Sequence, residues 1–101
     1  MNSFKFIELQ QVLDKMNNDS PIIIDIRDKD SFKKGHIDGA LNLSNENIDN
    51  FVLDTKKNQS IIVCCYHGNS SQRAAKFLTE QGFTDVYSLN GGYEIWKNQK
   101  K

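Results

Sequence analysis

The chain has 101 residues, 38% of them hydrophobic and 26% charged, with 13 Lys+Arg against 13 Asp+Glu. That size predicts one domain over residues 1–101, with a core large enough to hold without staples. A formal charge of zero excludes broad electrostatic binding of nucleic acid or an anionic membrane, and no apolar run approaches the ~20 residues of a membrane span.

In chain order, Phe4-Lys5-Phe6 reads as an edge strand. Leu9, Val12, Leu13 and Met16 recur at helical spacing, and Asn17 to Pro21 ends that helix. Ile22-Ile23-Ile24 is continuous and β-branched, as suits a strand buried on both faces. Asp28 is placed to cap a short helix through Lys34, with Gly35 as its stop. Ile37 to Leu43 reads as a turn and a short strand, and Ile48, Phe51 and Val52 as a helix face capped by Ser44. Ile61 to Cys64 is a second continuous apolar strand. Ala74, Ala75, Phe77 and Leu78 mark the clearest helix, which starts near Ser70 or Ser71 and ends at Gly82. Val86 to Leu89 is a last core strand, and Gly91-Gly92 turns into a terminal helix carrying Tyr93, Ile95 and Trp96. Strands alternating with helices predict an α/β fold, a mostly parallel sheet with helices on both faces. In such sheets the chemistry lies at the carboxyl ends of the strands. Two features fall there: Asp25-Ile26-Arg27 and Cys65.

The two cysteines, Cys64 and Cys65, are adjacent. Neighbours make a strained bridge and no disulfide framework, and two thiols without a His pair are too few for structural zinc. The start, Met1 to Lys5, lacks the apolar stretch of a signal peptide. Free thiols in a reducing cytoplasm are the expectation.

Side chains alternate along a strand, so Cys64 and Cys65 face different ways. Cys64 reads as core. Cys65 opens a short loop, Cys65-Tyr66-His67-Gly68-Asn69-Ser70, that leads into a helix N-terminus. Backbone N–H groups in such a turn converge on an anion and stabilise a thiolate. A free thiol with a pKa of ~8.5 is only about 3% ionised at pH 7, and lowering it by about two units takes ~2.7 kcal/mol. Two or three charge-assisted N–H bonds supply that much, so no histidine base is needed. The alternative is that Cys65 is an inert buried thiol. A cysteine phosphatase loop is the chemical rival, but its Arg, six residues after the cysteine, is Ser71 here. Arg73 lies two residues further, inside the predicted helix. A loop of backbone donors without that clamp suits a persulfide or a small sulfur oxyanion.

With these residues in view, the chain resembles the single-domain rhodaneses, a family of thiosulfate sulfurtransferases. Ile62 to Ser71 resembles the active-site loop of its stand-alone members. Phe32 to Asn42, with its Gly35-His36-Ile37 and Gly39-Ala40-Leu41-Asn42, resembles the family's first signature. Leu89 to Trp96 resembles its Gly-Gly-aromatic-x-x-Trp signature, and Asp25-Ile26-Arg27 its Asp-x-Arg.

The resemblance implies a five-stranded sheet and a ping-pong reaction without metal or organic cofactor. By that analogy Cys65 takes the outer sulfur of thiosulfate and becomes a transient persulfide. The persulfide passes its sulfur to cyanide or to a small thiol, with thioredoxin among the thiol acceptors. Tyr66, His67, Gly68, Asn69, Ser70 and Ser71 would form the amide cradle. Many members carry Arg at the loop's sixth position, where this chain has Ser70, which leaves Arg73 as the candidate cation for substrate; a solvated helix position is the plainer reading. A monomer or weak dimer is expected, with neither nucleic acid nor membrane as partner.

The remaining polar residues read mostly as structural. His36 satisfies backbone groups in a turn, and Asp25 with Arg27 braces two strand ends. His67 either lines the entrance or points to solvent while only its N–H matters. Tyr93 and Trp96 read as core or rim aromatics. Lys33-Lys34 and Lys100-Lys101 read as solvated surface, the first pair with some scope to steer thiosulfate. A persulfide-relay module with little thiosulfate turnover is the alternative function; a phosphatase or arsenate reductase is disfavoured by the missing loop Arg.

Overall fold

In the computed structural model, residues 3–99 are described, so Met1 and the Lys100-Lys101 pair lie outside the described residues. The elements are β1 (Lys5–Ile7), α1 (Leu9–Asn18), β2 (Ile22–Asp25), α2 (Lys29–Lys34), β3 (Leu41–Asn42), α3 (Ile48–Asp54), β4 (Ile61–Cys64), α4 (Ser70–Glu80), β5 (Val86–Leu89) and α5 (Gly92–Gln99). The five strands form one sheet in the order β1-β5-β4-β2-β3, and every pairing is parallel.

Alternation along the strands divides the core into two layers. Ile23, Ile62, Cys64 and Leu89 pack with Val12 of α1 and Trp96 of α5 on one face. Ile24, Ile61, Val63 and Val86 pack with Phe51 of α3 and Ala75 and Leu78 of α4 on the other. Both faces of β4 are therefore covered, and all four of its residues are buried. Each large aliphatic side chain so enclosed contributes roughly 1.5–3 kcal/mol.

Three boundaries have causes that differ from the sequence expectation. Asn47, not Ser44, occupies the N-cap of α3. Ser44 starts a preceding turn instead, where its carbonyl accepts from the Ile48 N–H and its Oγ from the Glu46 N–H. Gly35 does end α2, but its backbone is extended (φ 167°). A Cβ there would stand 2.5 Å from the Tyr93 hydroxyl, so glycine lets the tip of that side chain pack against the backbone. Asp28 caps α2 as expected, accepting from the Ser31 N–H at 3.1 Å. α4 closes at Gln81, one residue before Gly82.

The strand order places the site. From β4 the chain moves through α4 to β5 on one side; from β2 it moves through α2 to β3 on the other. The crevice where such connections diverge is the usual binding place of an open parallel sheet. Here it falls between Ile26-Arg27 and Cys65. Among the described residues no helix is long and apolar enough to cross a membrane.

Candidate active site

The loop after β4 is held from both sides by backbone. The first N–H groups of α5, from Tyr93 and Glu94, donate to the carbonyls of Cys65 (2.7 Å) and Tyr66 (3.2 Å). This uses donors that a helix start leaves unpaired. The contact is so close that a Cβ on Gly92 would lie 2.5 Å from the Cys65 carbonyl oxygen and 2.7 Å from the His67 nitrogen. Gly92 also has φ +59°, in the left-handed region, so both space and backbone demand glycine. The Gly91-Gly92 pair is thus the seat of the cysteine loop. Gly68, at φ +99°, makes the loop's sharp turn.

That turn aims donors at one sulfur. The Gly68 N–H donates to Cys65 Sγ at 3.1 Å, and Ser71 Oγ lies 3.4 Å from it. Burial alone would raise the Cys65 thiol. The Ser71 hydroxyl and N–H, with the N–H groups of Gly68 and His67, outweigh it and hold the thiol below its ordinary value. Asn69, the N-cap of α4, makes no side-chain cap bond, so the helix N-terminus stays open toward the loop. Of the six predicted cradle residues, His67, Gly68 and Ser71 turn N–H groups to the sulfur. Ser70 lines a neighbouring groove, and Tyr66 sends its hydroxyl outward to Asp28.

Cys64 lies in the opposite layer, fully buried beside Asp25 and Arg27. Burial and the Asp25 carboxylate push its thiol far up. Asp25 and Arg27 form the expected brace: Arg27 Nη2 lies 2.7 Å from Asp25 Oδ2 and donates to the Gly35 carbonyl at 2.7 Å. The guanidinium also stacks 4.0 Å from the Tyr93 ring centroid. His36 donates from Nδ1 to the Phe32 carbonyl at 2.7 Å and stacks on the Phe32 ring, a structural role as expected. The His67 side chain is exposed and 4.0 Å from Glu94, so its N–H carries its contribution to the loop. Arg73 is exposed on α4, and its guanidinium has no ion-pair partner among the described residues. Trp96 is core and Tyr93 is rim.

Two features escaped sequence reasoning. Ser88, buried on β5, sits 2.7 Å from Ser71 Oγ and so backs the hydroxyl that faces Cys65. Its signal was a serine in an otherwise core strand, Val86-Tyr87-Ser88-Leu89. The second is the Tyr66–Asp28–Ser31 cluster, where the Tyr66 hydroxyl donates to Asp28 and lies 3.1 Å from Ser31 Oγ. Those bonds, Tyr66 first and then Ser31, lower the Asp28 carboxyl to about 2. Among the described residues, no group of three or more His, Cys, Asp or Glu side chains is assembled to hold a metal.

Residues 8–99 match the rhodanese-like domain family. The chain belongs to that family. It is 50% identical over 96 residues to thiosulfate sulfurtransferase GlpE of Shewanella oneidensis, covering 95% of each chain. It is 47% identical over 95 residues to GlpE of Pseudoalteromonas translucida, covering 94% of this chain and 90% of that one. Among solved structures, a human single-domain sulfurtransferase, TSTD1, superposes with a TM-score of 0.83 at 17% identity, over 95% of this chain and 97% of that one. The rhodanese-like domain of an Anabaena protein superposes with a TM-score of 0.83 at 25% identity, over 93% of this chain and 74% of that one. The five-stranded parallel sheet between two helical layers is thus the rhodanese fold, as the four sequence signatures predicted.

Proposed function

We propose that this rhodanese is a thiosulfate sulfurtransferase and that Cys65 carries the sulfur. One observation supports this most: a single sulfur, Cys65 Sγ, faces the Gly68 N–H at 3.1 Å and the Ser71 hydroxyl, in a loop that contains no arginine. Backbone donors without a guanidinium clamp match a monoanionic persulfide better than a phosphate dianion.

The cycle has two displacements. The Cys65 thiolate attacks the outer sulfur of thiosulfate. An S–S bond forms to Cys65, the S–S bond of thiosulfate breaks, and sulfite leaves with the electron pair. The Cys65 persulfide anion, stabilised by the loop amides of His67, Gly68 and Ser71, then gives its outer sulfur to cyanide, releasing thiocyanate and the thiolate. A thiol acceptor, small or on a protein such as thioredoxin, takes the same sulfur as a persulfide. The cycle is closed by the cysteine alone, without bound metal or organic cofactor. It needs reduced thiols, which fits the cytoplasm.

Mass measurement after incubation with thiosulfate tests the first step. We expect a gain of one sulfur atom on Cys65, absent in Cys65→Ser and retained in Cys64→Ser. Thiocyanate formation should fall at least roughly a thousandfold in Cys65→Ser. No sulfur gain from thiosulfate, beside uptake from a cysteine desulfurase, would move the assignment to a persulfide relay. Phosphate release from an aryl phosphate would overturn both.

A further inference from the structure

We propose that Tyr66 is a positioning residue: its hydroxyl, tied to Asp28, fixes the peptide that aims the His67 N–H at Cys65. This rests on the reading of Cys65 as the sulfur carrier and names a residue that keeps its donors in place. Tyr66 follows the nucleophile directly, and it is 46% exposed. An exposed phenol is satisfied by water and needs no partner in the protein. This one instead donates to the Asp28 carboxylate and lies 3.1 Å from Ser31 Oγ. Those partners stand 38 and 35 positions earlier in the chain, at the start of α2.

The acceptor is itself held. Asp28 Oδ2 accepts from the Ser31 N–H at 3.1 Å, and Oδ1 from the Ser31 hydroxyl at 2.9 Å. A hydrogen bond to an ionised carboxylate is roughly twice as strong as one between neutral groups. The backbone of Tyr66 is held from the opposite side, where its carbonyl accepts from the Glu94 N–H of α5 at 3.2 Å. That carbonyl and the His67 N–H are opposite ends of one planar trans peptide. The carbonyl end rests on α5, and the N–H end is among the donors to Cys65 Sγ. Tyr66 Cα is a corner of that plane, so anchoring its side chain on α2 fixes how the plane tilts. The first half of the loop is thus slung between two helices, with the sulfur's donor in the span.

The reaction gives such a tie its use. Thiolate and persulfide are both anions, and the outer sulfur lies about 2 Å beyond the first. The same N–H groups serve both states only if the loop does not turn as the charge moves outward. Arg27 also meets Tyr66, but through the ring, 5.8 Å from its centroid. Tyr66→Phe keeps that ring contact and removes only the tie.

Iodoacetamide labelling of Cys65 across pH, in a Cys64→Ala background, tests the tie without any sulfur chemistry. Tyr66→Phe should raise the midpoint by about half a unit, about a threefold loss of labelling below it and no loss above it. The charged and titratable groups around Tyr66 are Arg27 and Asp28 after β2, Lys34 of α2, His67 of the loop, and Tyr93, Glu94 and Lys97 of α5. All remain in Tyr66→Phe, so their own titrations cancel in the comparison. Asp28→Ala should give the same shift, and Asp28→Asn, which keeps an acceptor oxygen, a smaller one. Added to Tyr66→Phe, Asp28→Ala should lower the denaturant midpoint by removing the α2 cap, yet move the labelling profile no further. A role of Asp28 in α2 alone would not produce that dependence on the Tyr66 hydroxyl. The wild type is also weighed after thiosulfate treatment: no sulfur gain would sink the sulfurtransferase reading and leave the labelling result standing. An unmoved midpoint in Tyr66→Phe, a loss that persists above the midpoint, or a second equal shift from Asp28→Ala in the Tyr66→Phe background would overturn the proposal.

Discussion

Cys64 and Cys65 are neighbours in sequence and both are buried, yet their surroundings drive the two thiols in opposite directions. Cys64 ends a strand and faces the layer of α1, α2 and α5, where it meets aliphatic side chains and the Asp25 carboxylate. Cys65 begins a loop and faces the start of α4, where it meets N–H groups and a hydroxyl. Burial opposes ionisation at both. What separates them is whether donors accompany the burial. A one-residue step across the end of a β-strand, from one sheet face to the other, makes that difference.

The most severe way to break the contrast is to push the loop off its seat. Gly92→Ala places a Cβ against the Cys65 carbonyl and forces a left-handed backbone on an L-residue. The backbone conformation costs about 1–2 kcal/mol by itself, and with the displaced loop the loss should reach about 3 kcal/mol. Denaturant unfolding measures the stability, and iodoacetamide labelling at neutral pH reads the thiolate. Cys65 should react at least several times more slowly than in the wild type. Unchanged labelling in a destabilised variant would mean that the α5 seat supports the fold but not the thiolate.

How much of this was legible follows the range of each interaction. The strand of β4, the start of α4 and the opposite facing of the cysteines are local consequences of pattern, and all appear as expected. The role of Gly92 was legible only as a motif, because the carbonyl it makes room for lies 27 positions earlier in the chain. Ser88 was visible only as a serine in a core strand, without its role, for the same reason: its partner, Ser71, is set by the register of β5 against β4 and the docking of α4. The N-cap of α3 was misplaced because Ser44, Asn45 and Asn47 are all capping types, and the turn through Ser44 decides among them. Non-local pairing, rather than weak propensity, marks the limit.

Removing the other thiol sharpens the contrast at smaller cost. Cys64→Ala leaves a small void, and about 1–2 kcal/mol should be lost at neutral pH. The pH profile is more informative. Burial raises the folded Cys64 pKa, so the folded chain keeps a proton that the unfolded chain releases above ~8.5, and stability falls as pH rises beyond that point. The Cys65 contribution runs the other way, because its folded pKa is depressed. It is full above ~8.5 and is lost as pH falls through the folded value. Unfolding free energies measured from about pH 7 to 10 should therefore decline less steeply in Cys64→Ala than in the wild type. An alkaline slope that Cys64→Ala leaves unchanged would assign the decline to other groups.

The finest test concerns a residue that never touches the sulfur. When Ser88 donates to Ser71 Oγ at 2.7 Å, the Ser71 proton is left to point at Cys65 Sγ, 3.4 Å away. Each bond in such a chain polarises the next by about 10–30%. Ser88→Ala removes the outer bond and leaves the inner one, so Ser71 still donates, but more weakly. The Cys65 pKa should rise by about half a unit, equivalent to ~0.7 kcal/mol. Thiolate absorbance against pH, recorded in a Cys64→Ala background so that one thiol reports, resolves a shift of that size. Ser71→Ala should move it further, since it removes the hydroxyl at the sulfur itself. If the two variants shift the titration equally, Ser88 acts by fixing where Ser71 sits. If Ser88→Ala shifts nothing, the backbone N–H groups alone set Cys65 apart from Cys64.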